Sequence, residues 1–192
     1  MITARRGVLA ALVIVAIVST GCASRPHATA DCPPEIVVPT DFAPQAPTVD
    51  FPGVPNFGVI SADVWRGGRP TAAGIQTLTD AGVRTIIDLQ LEGEAAPPPP
   101  GVRYIALPVS GWHADRVDID AVLSAIDQCP KPVFVHCREG RDRTGLAIAA
   151  YRVDHGMSLR DAFRELEAFH VHPWWRAPIE RRVALWIEQT RP

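Results

Sequence analysis

The sequence predicts an α/β fold: one domain with a central, largely parallel sheet of four to five strands flanked by helices. Three observations carry this expectation. From Asn56 onward, short apolar segments alternate with segments of helical period, the order that builds a parallel sheet. Val133-Phe134-Val135 is short and wholly apolar, as a central strand covered on both faces must be. Gly82 and Gly156 each follow a helical segment, where a C-terminal cap belongs.

Taken in order, Val59-Ile60 and Val64-Trp65-Arg66 read as two short strands, and Gly67-Gly68-Arg69-Pro70 as a turn. Thr71 opens a helix that runs to Ala81. Arg84 to Leu89 is a strand of the buried type, and Pro97 to Pro100 a stiff surface loop. Tyr104 to Val109 is a further strand. Val117 to Gln128 places Ile119, Val122, Leu123 and Ile126 at helical spacing. Val133–Val135 follows as a strand and Leu146–His155 as an apolar helix. Ser158-Leu159-Arg160-Asp161 has the form of a capping box and opens a helix to about Phe169. The last helix is expected from Pro178 to Gln189, with proline in its first turn.

With 192 residues, 47% of them hydrophobic, the chain can bury one core of ordinary size. A net charge of −2 gives no basic face for nucleic acid. Of the 19 basic residues only Lys131 is lysine. Residues 1–22 read as a leader rather than fold. Arg5 and Arg6 precede the apolar run Val8–Val18, which is shorter than a bilayer span and suits a signal peptide. Ser19-Thr20-Gly21-Cys22 resembles a bacterial lipobox, which makes Cys22 the expected lipidation site and the chain an envelope or periplasmic lipoprotein. Cleavage after Ala28-Thr29-Ala30, giving a soluble chain from Asp31, and an uncleaved anchor are the alternatives. All three place the domain outside the cytoplasm. Residues 23–55 are proline-rich and read as an extended tether, part of which can lie over the domain that begins at Asn56. Cys32 and Cys129 are either a disulfide or two independent thiols.

The chemistry concentrates in His136-Cys137-Arg138-Glu139-Gly140-Arg141-Asp142-Arg143-Thr144-Gly145. A loop between a strand and a helix N-terminus turns successive amides inward, and the helix dipole adds positive potential. Gly140 lets the loop curl. Arg143, six residues after Cys137, can return over the loop and grip two phosphoryl oxygens. The same surroundings favour a Cys137 thiolate, the nucleophilic form. Thr144 offers a hydroxyl to steady that thiolate, and His136 orients the loop.

This segment is similar to the H-C-x5-R-[ST]-G signature of the protein tyrosine phosphatase superfamily. From Asn56 to Gln189 the chain resembles the small bacterial dual-specificity-type phosphatases. Val64–Thr71 resembles their early strand-turn-helix segment, and Ile87-Asp88-Leu89 with Glu92 and Glu94 their next strand and loop, both read as packing elements. The resemblance implies a cysteinyl-phosphate on Cys137, then its hydrolysis by water, with no cofactor and no metal. It also implies a carboxylic acid on the segment from Ser110 to Asp118 that protonates the leaving oxygen. Asp115 is the first choice. His113 and Asp118 are rivals, and Asp118 equally suits a helix N-cap before Ile119. Asp142, inside the cradle, is a further candidate for handling the water. Arg138, Glu139, Gly140, Arg141, Asp142 and Arg143 form the expected substrate-binding set.

Arg138 and Arg141 resemble the extra cations of phosphoinositide-active phosphatases and favour multiply charged substrates; equally, both can point to solvent. The expected partner is therefore a phosphorylated protein, or a phosphoinositide or inositol phosphate. His170, His172, Trp174, Trp175 and Arg176 read as a rim of the site, an interfacial patch or a packed corner between helices. A phosphate-binding module without turnover and a thiol redox protein are the competing readings.

Overall fold

The computed structural model describes residues 36–40, 42–48 and 51–190. Five strands form one sheet in the order β1-β2-β5-β3-β4. They are β1 (Gly58–Val59), β2 (Val64–Gly68), β3 (Thr85–Asp88), β4 (Arg103–Ala106) and β5 (Val133–Cys137). Only the β1–β2 pairing is antiparallel; β2–β5, β5–β3 and β3–β4 are parallel. The wholly apolar Val133–Val135 thus lies in the central strand, as its composition demands. The helices are α1 (Ala72–Asp80), α2 (Ile119–Gln128), α3 (Asp142–Asp154), α4 (Leu159–Ala168) and α5 (Pro173–Thr190).

Side-chain alternation along the strands divides the core in two. Val64, Ile87, Val133, Val135 and Cys137 join the cluster built with α2, α3, α4 and α5. Trp65, Ile86 and Phe134 join Ile75 and Leu78 of α1, together with Phe51, Val54 and Phe57. Helix starts follow local chemistry: the Thr71, Asp118 and Ser158 side chains accept from the amides of Gly74, Ala121 and Asp161.

Several boundaries differ from expectation for identifiable reasons. β4 stops at Ala106, although the Leu107 and Val109 amides still donate to the Asp88 and Leu89 carbonyls; Pro108 between them has no N–H to offer. α3 begins at Asp142 rather than Leu146, because the end of the signature loop is itself the first helical turn. α5 begins at Pro173, and Pro178 falls inside it. The residues between Gly111 and Arg116 form a short helical segment, kinked at His113, where only a loop was expected.

The boundary drawn at Asn56 comes too late. Phe51 stacks on Phe57 with ring centroids 3.9 Å apart, and Val54 is buried. Further back, Arg152 and Glu165 form a buried ion pair at 2.8 Å. The Ala43 carbonyl accepts from Arg152 at 3.2 Å, and the Gln45 amide donates to Glu165 at 2.9 Å. The proline-rich stretch therefore supplies the polar partners that a buried ion pair requires. Cys129 is a free, buried thiol at the end of α2; Cys22 and Cys32, with the leader, lie outside the described residues. No helix among the described residues is long and apolar enough to cross a membrane.

Candidate active site

Cys137 ends the central strand, buried at 2% exposure, and the loop after it leads into the N-terminus of α3. First-turn amides of a helix lack intrahelical partners, so the start of α3 is a place where N–H groups can meet an anion. The loop is also held from below. Gly140 has φ +71°, and a Cβ there would sit 2.4 Å from the Gly67 carbonyl carbon and 2.5 Å from the Gly68 nitrogen. No other residue type fits that approach. The Gly140 carbonyl accepts from Arg66 Nη2 at 2.7 Å and from Asn56 Nδ2 at 2.9 Å. The Arg69 amide donates to the Arg138 carbonyl at 3.1 Å.

Arg66 is fully buried and lies 3.8 Å over the Phe169 ring. Burial lowers its pKa to about 10, opposed by the charges of Glu165 and Cys137. None of these supports was assigned to the site from sequence. The visible signal was the run Arg66-Gly67-Gly68-Arg69, whose two glycines pair with His136 and Cys137 across β2 and β5.

Arg143 is preorganised by backbone. Its Nη1 donates to the Val109 carbonyl at 2.8 Å and the Leu89 carbonyl at 3.3 Å. Two loops after parallel strands thus aim the guanidinium at the same cleft as Cys137. Thr144 is buried, and its hydroxyl has no hydrogen-bond partner among the described residues, Cys137 included.

His136 stacks on Phe134 with centroids 5.4 Å apart. Its Nε2 lies 2.6 Å from Glu94 Oε1, at ion-pair distance but too oblique for a regular hydrogen bond. Asp88 Oδ1 is 3.9 Å from the same nitrogen, while Asp88 Oδ2 accepts from the Tyr104 hydroxyl at 2.7 Å. Asp88, Glu94 and His136 are the described trio whose atoms lie close enough to share a cation. Two ligands of one tetrahedral ion sit roughly 3.3 Å apart, farther than this carboxylate and imidazole do. The arrangement instead sets Glu94 directly against the His136 ring. Glu94, expected only to pack the sheet, therefore touches the signature histidine.

The cleft above Cys137 has a volume of about 550 Å³. Its wall includes Arg138, Glu139, Asp142 and Arg143 from the cradle, Glu92 from the loop after β3, and Ser110, Gly111 and Trp112. His172, Trp174 and Trp175 complete the lining. Trp112 and Trp174 are 86% and 68% exposed, an aromatic rim around a charged floor. Asp115, half-buried, does not line this cleft, nor do His113 or Asp118. Asp118 caps α2. Of the two extra cations, Arg138 lines the cleft, whereas Arg141 faces the neighbouring pocket, 3.5 Å from Glu139. His170 also lines that neighbouring pocket. His172 lines both that pocket and the cleft, and its backbone amide and Nδ1 contact the two Asp142 oxygens at 2.9 and 2.8 Å.

A loop of this construction on a parallel sheet places the chain among the protein tyrosine phosphatases, in their bacterial dual-specificity type. Residues 59–172 match the family described as DSP-PTPase phosphatase fused to NAD+ kinase, and the chain belongs to that family. It is 33% identical over 121 residues to the dual specificity protein phosphatase TpbA of Pseudomonas aeruginosa strain UCBPP-PA14, a match covering 58% of this chain and 53% of TpbA. The chain thus spans about half the length of that curated relative. The crystal structure of P. aeruginosa TpbA superposes with a TM-score of 0.57 at 27% identity, covering 77% of this chain and 91% of that one. The core catalytic domain of the PP-IP phosphatase SIW14 from S. cerevisiae, in complex with citrate, shares the fold at a TM-score of 0.55 and 20% identity. That match covers 69% of this chain and 87% of the other.

Proposed function

We propose that this protein is an exported phosphatase that hydrolyses phosphomonoesters through a cysteinyl-phosphate on Cys137. One observation supports it above the others: Cys137 and the backbone-tethered Arg143 line one cleft at the end of the central strand. In the first step the Cys137 sulfur attacks phosphorus, the P–S bond forms and the ester P–O bond breaks. Arg143 and the loop amides hold the phosphoryl oxygens. In the second step water attacks phosphorus and the thiolate leaves, with the Thr144 hydroxyl, in the first turn of α3, the candidate to steady it.

Phosphotyrosine is the favoured substrate. The tryptophan rim of Trp112, Trp174 and Trp175 suits an aromatic ester, and a structure of TpbA in its Cys-to-Ser form is in complex with pTyr at 27% identity. Arg138 supports a second reading, an inositol phosphate or phosphoinositide with more than one phosphate. The leader supports a lipid anchor at Cys22 and a location in the cell envelope.

The decisive experiment is hydrolysis of p-nitrophenyl phosphate by the purified protein with and without a chelator. Activity is expected to resist the chelator and to fall to background in Cys137→Ser. Phosphate binding without turnover in the wild type would leave a binding module instead. Turnover that survives Cys137→Ser would refute the mechanism. A panel of phosphotyrosyl peptides against inositol polyphosphates then ranks the two substrate readings, and retention of label from metabolic palmitate by wild type but not Cys22→Ala tests the anchor.

A further inference from the structure

Hydrolysis of a cysteinyl-phosphate needs a base to take a proton from the attacking water. The segment expected to carry acid–base chemistry puts Ser110, Gly111 and Trp112 on the cleft wall but not Asp115. The same cleft is lined by an imidazole. His172 lies in the connection between α4 and α5, and its ring stacks on Trp174 with centroids 4.6 Å apart and planes 25° apart. Asp142, in the first turn of α3 and inside the cradle, binds it twice. Its Oδ1 accepts from the His172 amide at 2.9 Å, and its Oδ2 meets Nδ1 at 2.8 Å. Both side chains are mostly shielded, at 16% and 23% exposure.

This geometry settles the tautomer. A carboxylate at Nδ1 requires a proton on Nδ1, so neutral His172 has its lone pair on Nε2. Among the described residues Nε2 meets Arg141 Nη1, from which it accepts a long hydrogen bond at 3.5 Å, and Glu139 Oε2 at 3.9 Å. The result is an aspartate–imidazole pair with a fixed ring in the wall of the Cys137 cleft, its basic nitrogen engaged only by one long hydrogen bond that a water can replace, the arrangement that makes histidine a general base.

We infer that His172 is the base of the second step and Asp142 the positioning residue that sets its tautomer. This rests on the cysteinyl-phosphate reading above. Water oxygen bonds to phosphorus as the P–S bond breaks and its electron pair returns to Cys137. The water proton passes to His172 Nε2, and the resulting imidazolium is stabilised by Asp142. Release of that proton to solvent restores the pair.

The test is pre-steady-state hydrolysis of p-nitrophenyl phosphate, whose good leaving group makes the first step fast. His172→Gln and Asp142→Asn are expected to lower the steady-state rate on the order of 10²-fold. Each should also release a burst of about one equivalent of nitrophenol and accumulate phosphorylated Cys137, seen as a mass shift that Cys137→Ser abolishes. Wild-type rates within threefold in both variants would overturn the assignment, as would slow turnover with neither burst nor phosphoenzyme, which places the loss in the first step. Failure of the parent reading looks different: the wild type itself then releases no phosphate.

Discussion

Two segments of this molecule were expected to do chemistry, and they are built in opposite ways. The stretch from His136 to Gly145 is fastened from every side: by Arg66 and Asn56 at the Gly140 carbonyl, by Arg69 at the Arg138 carbonyl, and by Glu94 at His136. The stretch from Ser110 to Asp118 buries Ala114 and Val117 against the core, but its polar groups are held by local contacts. Ser110 caps its first turn, His113 breaks the helical geometry, and Asp118 is spent on the cap of α2. An anion cradle works only if its donors are fixed before the substrate arrives. A proton carrier has no such demand, and its position is set by whichever neighbouring element reaches the cleft.

Gly140→Ala attacks the difference most severely. The new methyl enters the backbone of Gly67 and Gly68 at a positive φ. We expect a loss of about 3–5 kcal/mol in denaturant unfolding together with loss of activity. Arg66→Met separates rigidity from stability. It removes a buried charge whose desolvation burial already penalises, so unfolding should shift by no more than about 2 kcal/mol in either direction. Yet the Gly140 carbonyl loses its shorter bond, and kcat/KM should fall about tenfold or more. Equal losses in stability and activity would show that the arginine holds the core rather than the cradle.

The smallest effects belong to the other segment. Asp118→Ala should cost about 1 kcal/mol through the α2 cap and leave kcat unchanged. Asp115→Asn should change kcat less than about threefold for phenyl phosphate and p-nitrophenyl phosphate alike, a ratio worth well under 1 kcal/mol. A loss confined to phenyl phosphate, the poorer leaving group, would make Asp115 the leaving-group acid and give the segment a role its resting position does not display.

Legibility in the sequence follows the same division. β5 and the helix starts at Thr71, Asp118 and Ser158 are governed by local pattern and capping, and the structure has them where the residues indicate. Cys137 and Arg143 were readable because their relation is a spacing within one loop. Arg66 and Asn56 were not readable as supports, since they reach Gly140 across 74 and 84 residues. His172 was noticed only as part of an aromatic cluster, because its link to Asp142 spans 30 residues and depends on how α4 and α5 turn. The acid–base expectation leaned on the segment's place in the chain. Chain position indicates which loops surround a site but not which side chain turns inward.

The cover over Arg152 and Glu165 bears on where this polypeptide can be cut. A fragment starting at Asn56 would keep every residue of the signature loop but lose the Ala43 carbonyl and the Gln45 amide that complete the ion pair. It would also lose Phe51, which packs Phe57. The pair sits on α3 and α4, and α3 carries Asp142, Arg143 and Thr144 at its other end. The proline-rich stretch is thus a strap as much as a spacer. A protease that trimmed it would loosen α3 from behind without touching a single residue of the cleft.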